Sequence, residues 1–500
     1  MSIKITILGA GSLGFTRRLV HDLLAVPELR DAHISLHDID ADNLGRVAQL
    51  LQRDLEHNEL ATTVATSLDR RESLRDADYV VCCVRAGGLE AFESDIDIPL
   101  AYGVDQCVGD TLCAGGIMYG QRSIACLLDF CRDIRDVASE DVLMLNYANP
   151  NVMNTWACNV FGGVPTIGLC HGVQGGHRTI AKALDVPPEE IDYICAGINH
   201  QTWYISIKHN GRIIGSDELL QAFENNPELA KTEKIRIDML RRFGYFTTES
   251  NGHVSEYVPW YRKRPQEIVE WIDMSKWILG ETGGYLRLCR ERRNWFDTEF
   301  PQLLAEPPAE INEANRSFEH GSYIIESLET GRAYRGHFNV MNHGVITNLP
   351  DGCVVEVPGY VDRNGINIPV VGDLPMACAA TCAASVRVQE MAVHAAVHGD
   401  LALLKQAMLH DPLTGAVLNP PEIWQLVDEM LVAQEKWLPQ YRDSIPGARE
   451  RLRTPIEVRS AELSAETRKR ARSIEELRKA REQTEQDTAG QRDYDPDRED

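Results

Sequence analysis

An apolar run, Ile3-Lys4-Ile5-Thr6-Ile7-Leu8, leads straight into Gly9-Ala10-Gly11-Ser12-Leu13-Gly14, and no other feature constrains the fold as strongly. A helical pattern follows from about Ser12 to Val26 and stops near Pro27. Strand, G-x-G-x-x-G turn and helix together predict the start of a dinucleotide-binding Rossmann unit. The first glycine permits the tight turn, the second lets the backbone approach a pyrophosphate, and the third allows close helix packing. Free N–H groups at the helix N-terminus then face phosphate oxygens. The chain start looks superficially like a signal, but it runs into the glycine turn without a convincing cleavage site, so we read it as the first strand.

A second strand over 32–37 ends at Asp38, 24 residues after Gly14. A carboxylate there accepts hydrogen bonds from ribose hydroxyls and repels a 2′-phosphate, which favours NAD over NADP. The bland alternative is a cap on the next helix. Gly9, Gly11, Ser12, Leu13, Gly14 and Asp38 are therefore the candidate cofactor residues. Apolar runs at 79–84, 142–147 and 165–170 read as parallel strands covered on both faces. Alternation with helical segments predicts a doubly wound α/β domain over 1–195, of the lactate/malate dehydrogenase kind.

At 500 residues the chain is too long for one ordinary core. The remainder reads as a mixed α+β domain over 196–450. An Asn210-Gly211 turn joins strands at 204–208 and 212–214. Helical patterns cover about 217–330 and 376–440, with strands expected at 352–357 and 366–371. Residues 451–500 form a charged extension expected to begin as an exposed helix and to end in disorder. That extension holds 12 basic and 13 acidic side chains, so nearly all of the net charge of −24 lies in the body. Acidic surface argues against nucleic acid or an anionic membrane as partner, and no apolar run is long enough for a membrane span. The 13 cysteines, several within apolar runs (Cys82, Cys83, Cys126, Cys131), fit buried thiols in a reducing cytoplasm.

Cys170-His171-Gly172-Val173 lies just past a predicted strand, where open α/β sheets place their ligands. His200 follows in Gly197-Ile198-Asn199-His200. A thiolate and an imidazole from separate loops form a candidate metal site with open coordination positions. On spacing alone, a packed thiol and a hydrogen-bonded structural histidine are the commoner readings.

Several motifs in order resemble glycoside hydrolase family 4, and within it the melibiase-type α-galactosidases. They are ILGAGSLG and HDID, GDTLCAGGIM at 109–118, NYANPNVMNTWA at 146–157, GLCHGVQGG at 168–176 and AGINH at 196–200. They continue with GYFTTESNGHVSEYVPWY at 244–261, NLPDGCVVEVP at 348–358 and VGDLP at 371–375. The resemblance implies an NAD- and Mn2+-dependent glycosidase, with the metal on Cys170 and His200. It implies hydride transfer from C3 of the sugar, metal-assisted loss of the C2 proton, elimination, water addition and re-reduction, an exception to the two-carboxylate scheme. Tyr257 is then the base, His171 and Asp110 the candidates for protonating the leaving group, and Asn149 a contact to substrate or cofactor. A homodimer or homotetramer acting on a small-molecule α-glycoside is expected on the same ground.

Two departures stand out. Melibiase-type members usually read Cys-His-Ser-Val where this chain has Gly172, which we expect to enlarge the pocket; α-galacturonides, other C6-modified sugars and α-glucosides stay open as substrates. Cys113-Ala114-Gly115-Gly116 replaces the usual Gly-Pro-Gly-Gly turn. The competing readings are a plain NAD-dependent dehydrogenase, which leaves Cys170 and His200 unexplained, and a non-catalytic NAD-binding regulator.

Overall fold

The computed structural model describes residues 2–274, 280–292, 295–458 and 468–487. Its strands are β1 (Lys4–Leu8), β2 (His33–His37), β3 (Thr63–Ser67), β4 (Tyr79–Cys82), β5 (Leu143–Asn146) and β6 (Thr166–Gly168). They continue with β7 (Ile191–Ile198), β8 (Gln201–His209), β9 (Arg212–Ile213), β10 (Phe246–Thr247), β11 (Tyr334–Met341), β12 (Val354–Asp362) and β13 (Gly365–Asn367). The first six pair in parallel in the order β3-β2-β1-β4-β5-β6. This is the doubly wound arrangement, and the strand order reverses at β1.

The sheet does not stop at β6. β11 pairs with it antiparallel through Asn339 and Gly168, and β12, β7, β8 and β10 follow. The Rossmann half and the mixed half thus share one sheet. Their apolar core is shared too: Ile5, Ile7, Val81, Leu145 and Ile167 pack in one cluster with Phe338 and Val361. Each such fully buried aliphatic side chain contributes about 1.5–3 kcal/mol. Long helices Cys113–Val137 and Met376–His398, both largely buried, pack against each other.

Sequence periodicity finds the buried strands and overlooks the others. β4 is buried at every position and stands out as an apolar run. β3 is a polar edge strand, Thr-Val-Ala-Thr-Ser, exposed or half-buried throughout, and carries no such signal. β11 was overlooked because its buried stretch includes Gly336, His337 and Asn339. The strand expected at 366–371 is cut to Gly365–Asn367: Pro369 has no N–H for a ladder, and Val370 is exposed. The hairpin around Asn210-Gly211 forms, with Lys208 opposite Ile213. In the charged extension, helix Ile474–Asp487 is present, and Arg472 donates two side-chain N–H groups to buried Glu291. The final stretch, expected to be disordered, lies outside the described residues.

Candidate active site

The glycine turn begins where β1 ends. Gly9 has a φ of +84°, and a Cβ there would lie 3.1 Å from the Cys83 backbone. Its N–H and that of Ala10 donate to the His37 carbonyl at 2.9 and 3.0 Å. Gly11 donates its N–H to Asp38 Oδ2 at 2.7 Å, and a Cβ on Gly11 would approach that oxygen to 2.8 Å. Asp38 therefore sits half-buried against the second glycine, at the end of β2. Ser12 and Gly14 line the turn half-buried, Leu13 packs into the core, and helix Phe15–Leu24 starts after Gly14. A tight glycine turn, a helix N-terminus and a carboxylate at the end of β2 fit a dinucleotide such as NAD.

Loops after β5 and β6 reach the same sheet edge. Cys170 lies two residues past β6, and helix Gly172–Leu184 points its N-terminus at it, with the Gly172 N–H 3.3 Å from Sγ. His200 occupies the turn between β7 and β8 with a φ of +65°, and Glu249 has a φ of +74°. Left-handed backbone at a non-glycine residue is unfavourable and concentrates at functional sites. His200 Nε2 lies 3.6 Å from Glu249 Oε1, and Cys170 Sγ lies 3.8 Å from the same oxygen. One sulfur, one nitrogen and one oxygen, all within 4.8 Å of one another, fit a divalent transition-metal ion.

A second cluster adjoins the first. His253 bridges the two carboxylates, Nδ1 at 3.0 Å from Glu249 Oε2 and Nε2 at 3.3 Å from Asp110 Oδ1. Asn149 donates to Asp110 Oδ2 at 2.8 Å. The Thr111 hydroxyl donates to Asp110 Oδ1 at 2.8 Å and accepts from His200 Nδ1 at 2.8 Å. That assignment leaves the Nε2 lone pair of His200 facing Glu249 and Cys170, as metal binding requires. Tyr257, fully buried, places its hydroxyl 3.2 Å from His200 Nδ1. Glu256 anchors the loop that carries Asp110 by accepting the N–H groups of Cys107, Val108 and Gly109.

Charge in this pocket is strongly organised. Burial works against charging His253, yet hydrogen bonds to Asp110 and Glu249 push it up to about 10. Burial likewise opposes ionised Glu249, but His200 and His253 bring it down to about 2. The same balance holds Asp110 well below the usual carboxylate range, through its hydrogen bond to His253. Asp110 is thus a carboxylate and the proton between them rests on His253. Burial lowers His200. Burial and the charges of Asp110, Glu256 and Glu249 push Tyr257 well up, while burial and Glu249 do the same to the Cys170 thiol.

Of the residues singled out in the sequence, Cys170, His200, Asp110, Asn149 and Tyr257 converge here. His171 has its Nε2 2.8 Å from buried Glu319 and its ring stacked on Tyr147, which meets Phe15 of the glycine-turn helix edge-on. The space beside Gly172 is not open, as the missing side chain led us to expect: Glu249 Oε1 fills it. Sequence reasoning missed Glu249, His253, Thr111 and Glu256. A usable signal was present, since Glu249, His253 and Tyr257 recur at intervals of four within one motif.

Comparison with known proteins agrees with this architecture. The chain is 58% identical over 489 residues to an α-galactosidase of Rhizobium meliloti, covering 98% of this chain and all of that one. It is 32% identical over 445 residues to an α-galactosidase of Bacillus subtilis, covering 88% of this chain and all of the relative. The 6-phospho-β-glucosidase of Thermotoga maritima, solved with manganese, NAD+ and glucose-6-phosphate, shares the fold with a TM-score of 0.71. It is 20% identical, covering 87% of this chain and 99% of that one. The family 4 glycosyl hydrolase profile matches residues 4–186, and the profile of that family's C-terminal domain matches 195–414. With both halves matched in order around one shared sheet, the chain belongs to family 4 of the glycosyl hydrolases.

Proposed function

We propose that this protein hydrolyses α-galactosides by transient oxidation of the sugar, using NAD+ and a divalent ion such as Mn2+. The observation that carries the reading is the juxtaposition of two sites on one sheet edge. A dinucleotide cradle at Gly9–Gly14 is linked through the rings of Phe15, Tyr147 and His171 to a sulfur–nitrogen–oxygen donor set with buried Tyr257 against it. A simple dehydrogenase or a binding-only regulator has no use for that donor set. The galactoside preference rests on the identity to the Rhizobium meliloti enzyme along its whole length.

When bound, NAD+ supplies reversible hydride exchange at C3 of the sugar, and the divalent ion supplies positive charge that polarises the neighbouring oxygens and favours phenolate at Tyr257. Cys170 and His200 hold the ion; the helix N-terminus behind Cys170 favours its thiolate. Tyr257 takes the C2 proton, and its burial keeps bulk water from competing for the phenolate. Thr111 fixes the tautomer and angle of the His200 ring. Asn149 is oriented by Asp110 and keeps its carbonyl and second N–H for sugar hydroxyls. Asp110 accepts from Asn149 and Thr111 and pairs with His253, which holds all three side chains in place.

Hydrolysis of 4-nitrophenyl α-galactoside, assayed under reducing conditions with and without NAD+ and Mn2+, tests the reading. Nitrophenol release that requires both additions is expected. Release that needs neither overturns the oxidative mechanism. No release with both present moves the substrate search to other sugars, beginning with α-galacturonides.

A further inference from the structure

We propose that Glu249 is a third protein ligand of the divalent ion, and that Gly172 is glycine because any side chain there displaces that carboxylate. The proposal rests on the metal reading above. Its first support is geometry. Glu249 Oε1 is the atom that both His200 Nε2 and Cys170 Sγ approach, at 3.6 and 3.8 Å. The three donors come from three different loops and meet at one point.

The second support is that Glu249 is held there against its own preferences. Its backbone adopts a φ of +74°, a region that suits glycine. Its side chain is 13% exposed, with the charge largely removed from water. The other oxygen, Oε2, accepts from His253 Nδ1 at 3.0 Å, and His253 is fixed in turn by Asp110. Partners of this kind, one layer behind a ligand, orient it and tune its basicity.

The third support comes from Gly172. An ideal Cβ at this position would lie 2.2 Å from Glu249 Oε1 and 3.6 Å from Cys170 Sγ. No contact of 2.2 Å is tolerable, so a serine at 172 and Glu249 in its present position exclude one another. With Glu249 added, thiolate and carboxylate balance a 2+ charge, and a hard oxygen donor tilts the site toward Mn2+ over softer ions.

The test is Mn2+ binding to the full-length protein without sugar, followed by electron paramagnetic resonance of the free ion. Circular dichroism and NAD+ binding confirm that each variant is folded. Glu249→Ala is expected to weaken Mn2+ binding by at least about tenfold, the lower end of what even an outlying partner costs. Glu249→Gln, which keeps the shape and loses the charge, is expected to fall between the two. Gly172→Ser is expected to weaken binding similarly in the wild-type background and by less than about twofold in the Glu249→Ala background, because the two changes act through one atom. Cys170→Ser serves as the control that abolishes binding. If Cys170→Ser abolishes binding while Glu249→Ala leaves it unchanged, Glu249 is not a ligand and only this proposal falls. If neither variant alters binding, the metal reading itself falls. An equal loss from Gly172→Ser in both backgrounds overturns the role given to Gly172.

Discussion

The proposed nucleotide cradle is built from backbone, and what matters at Gly9 and Gly11 is the side chain that is missing. In the pocket beside it the working groups are side chains, gathered from Asp110 to Tyr257 and largely withdrawn from water. The cradle is tied to the end of β2 by three backbone N–H groups, those of Gly9 and Ala10 on the His37 carbonyl and that of Gly11 on Asp38. The pocket is closed by charges that hold one another in place: Asp110, His253 and Glu249 are each perturbed by the next. A backbone site of this kind tolerates change except where atoms are added. A buried charge network tolerates almost none, because deleting one member strands its partner.

That contrast predicts a steep difference between the two sites. Cys170→Ser should have the largest effect: turnover should fall well beyond the roughly 10- to 100-fold typical of losing a partner one layer behind a ligand. NAD+ affinity, read by titration, should stay close to wild type. A parallel loss of NAD+ binding would mean that the two sites do not act separately. Tyr257→Phe comes next. Solvent deuterium incorporation at C2 of the sugar should drop by about 10²- to 10⁴-fold, the usual share of a positioned acid or base. Undiminished exchange removes Tyr257 as the base.

Asp38→Ala probes the cradle and should be milder. Losing a charged hydrogen-bond acceptor, worth about 1.5–3 kcal/mol, should weaken NAD+ binding roughly 10- to 100-fold and shrink the preference over NADP+. Mn2+ affinity should not move. An unchanged NAD+/NADP+ ratio would leave Asp38 a turn residue only, accepting the Asp40 N–H at 3.0 Å while Asp40 itself caps the next helix.

The same contrast explains what the sequence makes legible. The cradle is read from spacing alone because strand, glycines and acidic residue stand in one local run. The buried parallel strands are equally plain as apolar runs, whereas β11 hides His337 and Asn339 in the core and β3 shows no apolar face. In the pocket, Cys170 and His200 each have an ordinary structural reading, and family resemblance is what singles them out. Glu249 and His253 escaped because a carboxylate and an imidazole four apart look like any solvated helical pair. Only the fold reveals that they are buried against Asp110 and His200. Gly172 misleads for a related reason: a missing side chain reads as space until the atom that takes the space is known.

The smallest effect on activity, and a purely structural one, is expected at Asp54. It is fully buried in helix Ala41–His57 and accepts from Arg17 Nε at 2.7 Å, His21 Nε2 at 3.0 Å and the Ala309 N–H at 3.1 Å. Burial alone would raise its pKa, but His21, Arg17 and the Ala309 amide hold it well below the usual carboxylate range. A depressed carboxylate stabilises the fold at pH values above its unfolded pKa of about 3.9, and that contribution fades as pH falls toward the folded value. Asp54→Asn should therefore lower stability by about 1–3 kcal/mol at neutral pH, measured by denaturant unfolding. The gap to wild type should narrow below about pH 4, where wild type loses what the variant never had. Activity per folded molecule should not change, since Asp54 ties the glycine-turn helix to residues near 309 and touches neither site. A gap that stays constant into acid would show that the ion pairs at Asp54 carry no net stability, and that buried charge in this protein is organised for the pocket alone.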